Sequence, residues 1–235
     1  MSDILSIIIS PREALAALRE KSNWLLPMVV TIVLAIIGYL LGRDASIHAT
    51  VGTMTHMLHT NSMFAGMGET AKAKMLGNAT HPPLVSSIVS IGFLAFFIAL
   101  GILINTLFLL AGNAMGGGDA HFESLLSASA LIAIPSFGLM QLITGIIEQI
   151  RGVDGFATTR DILTVLPNLA LLAPNASGPL FYFLAAIGIG ALWGLFLNSM
   201  ALRATADAKG PATWIIPTVV LLLSAALASI GGIFS

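Results

Sequence analysis

Four polar side chains interrupt the apolar runs of this sequence and are the residues best placed to do chemistry. They are Asn105, Gln141, Glu148 and Asn198. An amide or a carboxyl group in an apolar environment is costly unless it is hydrogen-bonded, so such groups mark either a functional cavity or polar contacts between helices. Gln141 and Glu148 share one helix face, and Glu148 has a second interpretation, an ion pair with Arg151 at the end of its helix. The sequence therefore predicts a candidate polar cluster within a bundle of apolar helices.

The two asparagines lie in segments that match each other. One segment reads GILINTL over residues 101–107, and the other reads GLFLNSM over residues 194–200. In each, the glycine and the asparagine are four residues apart and share a helix face, so a partner helix can approach the glycine and satisfy the amide. The small residues that we expect to mediate such helix packing are Gly101, Ala186, Gly190 and Gly194. We interpret the two parts of the chain that contain these matches as a diverged parallel repeat.

Two groups of residues resemble metal ligands. The polar segment 43–82 holds His48, His56, His59, His81, Met54, Met57, Met63, Met67 and Met75. Imidazole and thioether groups suit copper, but the helical spacing of the methionines is also typical of packing. Asp119, His121 and Glu123 alternate in a short corner, where acidic residues also stabilise the start of the following helix. Packing and helix capping explain both groups, so no metal site and no cofactor is predicted.

The sequence lacks the residues that common enzyme and nucleic-acid sites require. It contains no Cys, and a net charge of −1 offers no basic surface to nucleic acid. The motifs H-E-x-x-H, G-x-x-x-x-G-K-[ST] and G-x-S-x-G are missing. We therefore expect a protein that is not an enzyme. Its expected partners are the lipid bilayer and either another membrane protein or a second copy of the chain, with no nucleic acid.

The composition requires a bilayer around this chain. Hydrophobic residues make up 57% of the 235 residues and charged residues only 9%, whereas a soluble domain averages about 25% charged residues. We predict an all-α membrane protein with a single transmembrane domain, residues 1–235, in which five helices form a bundle. The spans are expected at about 24–42, 84–111, 122–150, 179–203 and 214–234. Pro135 lies inside the third span and is expected to kink it.

A short amphipathic segment precedes the first span. In residues 10–21 (SPREALAALREK), Leu15 and Leu18 lie on one side of a helix and the charged residues lie on the other. We expect this N-terminal segment, residues 1–23, to lie in the headgroup region or to remain solvated before the first span. Basic residues are equally numerous on the two sides of a five-span bundle, and the first span decides the orientation. The N-terminus is then cytoplasmic, both short corners are cytoplasmic, and the C-terminus lies outside.

A set of apolar, glycine and proline positions forms a pattern over nearly the whole chain. It comprises residues 107–111, Gly116, Gly117, Phe122, Leu125, Leu126, Ile134, Pro135, residues 10–14, residues 24–27, Trp193 and residues 201–203. This pattern resembles the YIP (Ypt/Rab-interacting protein) family of integral membrane proteins, bacterial branch. The resemblance implies five spans, a location in the bacterial inner membrane, a cytoplasmic N-terminus and a non-enzymatic role. Eukaryotic members are associated with Rab GTPases, but the Asp-Leu-Tyr-Gly-Pro signature of those members is missing here.

Two functions fit these observations. The first, which we prefer, is a non-enzymatic bundle that organises membrane or scaffolds partners through its N-terminal helix and small-residue faces. The second is a small channel, transporter or lipid-handling protein whose cavity is lined by Asn105, Asn198, Gln141 and Glu148. The two functions differ in one observable, whether those four side chains converge on a shared cavity.

Overall fold

The chain is built from helices. The computed structural model describes residues 2–60, 64 and 66–233. In this part of the chain eleven α-helices follow one another, and no strand forms beyond one isolated bridge. They are α1 (Ser2–Ile9), α2 (Pro11–Ala17), α3 (Leu25–Thr60), α4 (Glu69–Thr80), α5 (Leu84–Met115), α6 (Phe122–Ala133), α7 (Leu139–Arg151), α8 (Thr159–Leu163), α9 (Gly178–Ala186), α10 (Ile189–Ala204) and α11 (Ala212–Ile230). The all-helical fold predicted from the composition is confirmed.

Four helical stretches among the described residues are long and apolar enough to cross a membrane. They are Leu25–Thr60, Val85–Met115, Phe122–Arg151 and Ala212–Ile230. The remaining predicted span, 179–203, is instead divided into α9 and the shorter apolar α10. At the division the N–H of Leu169 donates to the carbonyl of Ile187 at 3.2 Å, and the N–H of Ile189 donates to that of Pro167 at 3.1 Å. The loop before α9 thus supplies backbone hydrogen bonds that a continuous helix would make internally.

The first membrane helix continues far beyond the predicted span 24–42. α3 has 36 residues, which corresponds to a length of about 54 Å, whereas the hydrocarbon core of a bilayer is about 30 Å thick. The second half of α3 therefore extends out of the membrane and carries the first residues of the polar segment 43–82. α4 packs back against it, so this segment is largely a helical hairpin. Met63 lies outside the described residues.

The third predicted span carries a turn of π-helix at its proline. α6 passes into a π-helix over Ile134–Gly138, which passes into α7. Pro135 has no N–H to donate to the preceding turn, so the hydrogen-bond ladder is interrupted there and the helix widens. The hydroxyl of Ser136 donates to the carbonyl of Ile132 at 2.7 Å and satisfies part of that turn. The proline thus distorts this span by changing its helix type.

The N-terminal segment is part of the folded bundle. α2 begins at Pro11, and its apolar side chains Ala14, Leu15 and Leu18 are buried. They belong to the main core cluster, which also contains Leu125 of α6 and Leu202 of α10. The expected position of this segment, in the headgroup region or in solvent, is therefore not confirmed. These side chains contact protein, because α6 and α10 leave an apolar surface that α2 covers.

A seam at Gly38 and Gly42, within a longer series of small residues on α3, joins α3 to α7. Along α3 the residues at alternating intervals of three and four are Ala35, Gly38, Gly42, Ala45 and Ala49, and all are buried. A Cβ atom at Gly38 would collide with the backbone carbonyl of Gln141, and one at Gly145 would collide with the backbone of Gly38. The two helix backbones therefore touch, which only small residues allow. The spacing of these small residues is visible in the sequence, but none of them was among the predicted packing residues.

Candidate functional site

Asn105 and Asn198 are hydrogen-bonded to each other in the interior of the bundle. The Nδ2 group of Asn105 on α5 donates to Oδ1 of Asn198 on α10 at 2.9 Å. It also donates to Oγ of Ser129 on α6 at 3.1 Å. Asn198 is only 7% exposed. Three helices therefore contribute to one polar cluster, in which amide and hydroxyl groups satisfy one another within an apolar surrounding.

A cavity of about 620 Å³ lies beside this asparagine pair. α5 and α10 form two of its walls, α11 contributes Val220 and Leu227, and the π-helical turn contributes Ser136. Among the described residues that line it, none is charged, and most are apolar. The cavity therefore suits an uncharged and largely apolar molecule, since such pockets commonly have volumes of about 300–1,000 Å³.

Gln141 and Glu148 lie elsewhere. Glu148 is 4% exposed and its carboxyl group packs against Gly42 of α3, where a Cβ atom would collide with it. In the part of the chain that the structure describes, no ion pair involves Glu148. Arg151 instead places its guanidinium 4.7 Å from the centre of the Phe156 ring and donates to the carbonyl of Gly155 at 3.4 Å. The structure thus brings two of the four predicted polar residues together and leaves the other two at the α3–α7 seam.

The four predicted packing residues do not all have the same surroundings. Gly190 and Gly194 face the π-helical turn, where Cβ atoms would lie 2.6 Å from the carbonyl oxygen and 3.3 Å from Cβ of Ser136. Ala186 lines the cavity. Gly101 lines it too, but no neighbouring atom lies within 4 Å of the place where its Cβ would be. Gly101 therefore leaves space for the cavity, and the expectation that it receives a partner helix is wrong.

Ser129 and Ser136 belong to this site and were not predicted from the sequence. Ser129 accepts the second hydrogen bond of Asn105, and Ser136 forms the surface on which Gly190 and Gly194 pack. Each is a hydroxyl residue within an apolar run, which is the available signal. That signal is weak, because serine in a helix often bonds only to its own backbone, as Ser136 also does.

Side chains of the histidine- and methionine-rich segment line two separate cavities. Met54, Met57 and Met75 line one of about 160 Å³, together with Leu58 and Phe64. His48 and His81 line another of about 470 Å³, beside Arg43 and Asp44. Within the described ranges no three or more His, Asp or Glu side chains cluster in a way that could hold a metal ion. The contacts of these methionines are those of packing between α3 and α4.

The two short corners of the chain are joined to each other. The N–H of Asp119 donates to the carbonyl of Ala206, and the N–H of Lys209 donates to the carbonyl of Gly116, both at 3.0 Å. Gly117 adopts a φ of 65°, which favours glycine at this turn. The amide of Asn113, a buried residue missed at the sequence level, holds the first corner by bonding both backbone groups of Ala120 at 3.2 and 3.3 Å.

The N-terminal helix α2 is bound to the same place. Thr205 donates through its hydroxyl to the carbonyl of Leu15 at 2.8 Å. Arg19 and Asp119 form an ion pair with an Nη2–Oδ1 distance of 2.6 Å, so Asp119 has a partner other than a metal. We refer to residues 2–21, residues 116–121 and residues 205–211 together as the corner face. The N-terminal segment and both corners lie side by side there.

Comparison with known protein families gives a match that covers nearly the whole chain. The family model of the Yip1 domain matches residues 5–230, which extend from α1 to the end of α11. No curated protein and no solved structure matches the chain. The apolar exposed surfaces of the long helices require contact with a lipid bilayer. The resemblance to the YIP family is confirmed, and the chain belongs to the Yip1 domain family of multi-pass integral membrane proteins.

Proposed function

We propose that this chain is a non-enzymatic protein of the bacterial inner membrane that organises membrane or scaffolds partners. The corner face is the observation that supports this proposal most. Three segments that are distant in sequence are held there by the Thr205–Leu15 and Arg19–Asp119 contacts and by the backbone bonds between corners. A preformed surface loses little conformational entropy when a partner binds, and this property suits a scaffold.

A single transmembrane domain of five spans is part of this proposal, with α9 and α10 together forming the fourth span. α11 is itself long and apolar enough to cross the membrane, and it starts at the second corner. Its far end lies beside the start of α9, where Gly232 closely approaches Gly178. α10 ends at the same corner at which α11 begins. α9 and α10 therefore traverse about the same thickness as α11, in the opposite direction.

The proposed orientation places the corner face in the cytoplasm. An odd number of spans separates the N-terminal segment from the C-terminus, and the two corners follow the second and fourth spans. The contacts of α2 with both corners agree with this arrangement, because segments on one side of a membrane can meet and segments on opposite sides cannot. The basic residues ahead of α3 favour the cytoplasm for that side.

The outer side of the N-terminal segment offers a contact surface. Leu5 and Ile9 of α1 are exposed, whereas Ile7 between them is fully buried. Exposed large apolar residues beside charged ones are typical of surfaces that bind a partner or the membrane interface. We propose that this part of the corner face makes the functional contact.

The experiment compares a double change of Leu5 and Ile9 to serine with a matched change outside the corner face, Leu171 and Leu172 to serine. Both pairs are exposed, so neither change should unfold the bundle. Chemical cross-linking of the full-length protein in native membranes, followed by quantitative mass spectrometry, measures partner recovery. We expect the Leu5/Ile9 variant to lose its cross-links several-fold and the Leu171/Leu172 variant to keep them. Equal recovery from both variants would reject the corner face as the functional surface.

The cavity favours a second candidate function, lipid handling. It carries no charge among its described lining residues, and Gln141 and Glu148 lie outside it, so an ion path through this cavity has little support. A largely apolar cavity with one pair of amide groups in its wall suits a lipid better than a polar solute. Ion flux from liposomes that contain the protein should equal the flux from empty liposomes. A protein-dependent ion flux would instead favour a channel or transporter.

A further inference from the structure

The asparagine pair has hydrogen-bonding capacity left over. Asn105 uses both hydrogens of its amide, on Asn198 and on Ser129. In the described residues, Oδ1 of Asn105 and Nδ2 of Asn198 have no hydrogen-bond partner, yet no unbonded polar atom of a buried side chain is sealed from the surface. The open atoms must therefore be reachable from the cavity that both residues line. Rotating both amides by 180° exchanges the two roles but again leaves amide N–H donors and one carbonyl acceptor open.

An open donor beside an open acceptor at a buried position calls for a ligand. Asn198 is more than nine-tenths buried, and an amide in hydrocarbon is costly when it has no partner. A hydroxyl group can satisfy both sites with one oxygen atom, since it donates one hydrogen and accepts in return. A carboxylate or a phosphate would need a cation, and none lies among the described residues that line the cavity.

The cavity is open to the bilayer rather than to water. Phe97 and Ile104 on α5 are 60% and 45% exposed, and Leu227 on α11 is 68% exposed. These three residues line the cavity and also belong to the apolar surface of two membrane helices, so its mouth lies where hydrocarbon covers the protein. A ligand that enters there is itself dissolved in the membrane.

We infer that this cavity binds an uncharged lipid alcohol, whose hydroxyl bridges Asn105 and Asn198 and whose long-chain or polycyclic body fills the apolar space toward α11. This inference deepens the lipid-handling candidate and does not depend on the corner face. A phospholipid acyl chain could fill the same space, but it would leave Oδ1 of Asn105 and Nδ2 of Asn198 without a partner. The two occupants therefore differ in whether binding requires a hydroxyl.

The test uses the full-length protein in nanodiscs with a diazirine-labelled hexadecanol as a photoaffinity probe. Unlabelled hexadecanol, hexadecane and palmitate compete with the probe. We expect labelling of cavity peptides, with hexadecanol competing about 10-fold to 30-fold better than hexadecane, as two hydrogen bonds of about 1 kcal/mol each imply. Equal competition by hexadecane would show that only a chain is bound and would overturn the inference. Competition by palmitate at pH 8 as strong as that by hexadecanol would overturn it as well.

Two variants locate the site. Changing Asn105 and Asn198 together to leucine removes both open groups without leaving one amide unpaired, and we expect the advantage of hexadecanol over hexadecane to disappear. Gly101→Leu should place its side chain in the cavity, one turn from Asn105, and reduce labelling several-fold, because nothing lies within 4 Å of that position. Gly92→Leu is the matched control: Gly92 is on the same helix, has equally open space and does not line the cavity.

Unchanged labelling in Gly101→Leu, or an equal loss in Gly92→Leu, would overturn the assignment of the site. Persistence of the alcohol preference in the double leucine variant would overturn the role of the asparagines. Cross-linking of the corner face is measured in the same variants. If the scaffold function is correct, Gly101→Leu keeps those cross-links, so failure of either proposal is recognised separately.

Discussion

Shortening Leu15 tests whether the N-terminal segment is part of the folded core. Its side chain is fully buried and lies in the same cluster as Leu125 and Leu202. Replacement of a buried leucine by alanine costs about 2–5 kcal/mol, through lost apolar contact and the cavity that remains. We therefore expect Leu15→Ala to lower the free energy of unfolding by at least about 2 kcal/mol. SDS-driven unfolding in mixed micelles, followed by the fluorescence of the three Trp residues, measures it.

Three further substitutions provide free energies of unfolding with which the effect of Leu15→Ala can be compared. Thr205→Val removes one hydrogen bond to the carbonyl of Leu15 and should cost about 0.5–1.5 kcal/mol. Arg19→Ala removes an exposed ion pair and should cost less than about 1 kcal/mol. The control is Leu172→Ala, at an 81% exposed leucine, with an expected change below about 0.5 kcal/mol. If Leu15→Ala behaved like Leu172→Ala, the N-terminal segment would be peripheral and the reasoning from its burial would be refuted.

Three further predictions concern the seam, the asparagine pair and the topology. Gly42→Leu should separate α3 from α7, because the new side chain collides with the carboxyl of Glu148, and overpacking of this kind costs about 1–3 kcal/mol. An unchanged SDS midpoint would contradict that contact. Asn105→Leu and Asn198→Leu should show a coupling energy of about 0.6–1.7 kcal/mol in a double-mutant cycle, and strictly additive effects would mean that the amides do not interact. Because the chain has no Cys, single cysteines at Lys209 and Leu172 report topology directly. A membrane-impermeant maleimide should label them from opposite sides, and labelling from one side would refute the five-span arrangement.

The helical class and the extents of two apolar helices could be predicted from the sequence because they depend on local composition. The predicted span 84–111 lies within α5, and the predicted span 122–150 coincides with α6, the π-turn and α7. Apolar runs of this length have no stable alternative in lipid, since a helix satisfies its own peptide groups. The match between the two asparagine segments was equally local, and it identified the two residues that bond across the bundle.

Features that depend on tertiary contact could not be predicted in this way. The amphipathic pattern of α2 is the same whether Leu15 meets lipid or protein, and only the surface left by α6 and α10 decides the outcome. The division of α9 from α10 involves two backbone hydrogen bonds, one from Ile189 to the carbonyl of Pro167 and one from Leu169 to the carbonyl of Ile187. The local sequence around the division does not predict these contacts. In the sequence, Glu148 belongs to a polar helix face. In the fold, its carboxyl group packs against Gly42 of α3, which is far away in the sequence.

Equivalent positions of the two matching segments meet each other in the fold. Asn105 and Asn198 are 93 positions apart and share a hydrogen bond. Gly116 and Lys209 have the same separation, and a backbone hydrogen bond of 3.0 Å joins them. Two more pairs at this separation share an environment: Gly101 and Gly194 at the cavity, and Leu109 and Leu202 in the main core cluster. Residues near a two-fold axis contact their own equivalents, whereas chance matches have no reason to do so. This pattern of contacts is what two copies of one helix–corner–helix unit, α5–α6 and α10–α11, would produce, so it favours the diverged parallel repeat predicted from the sequence.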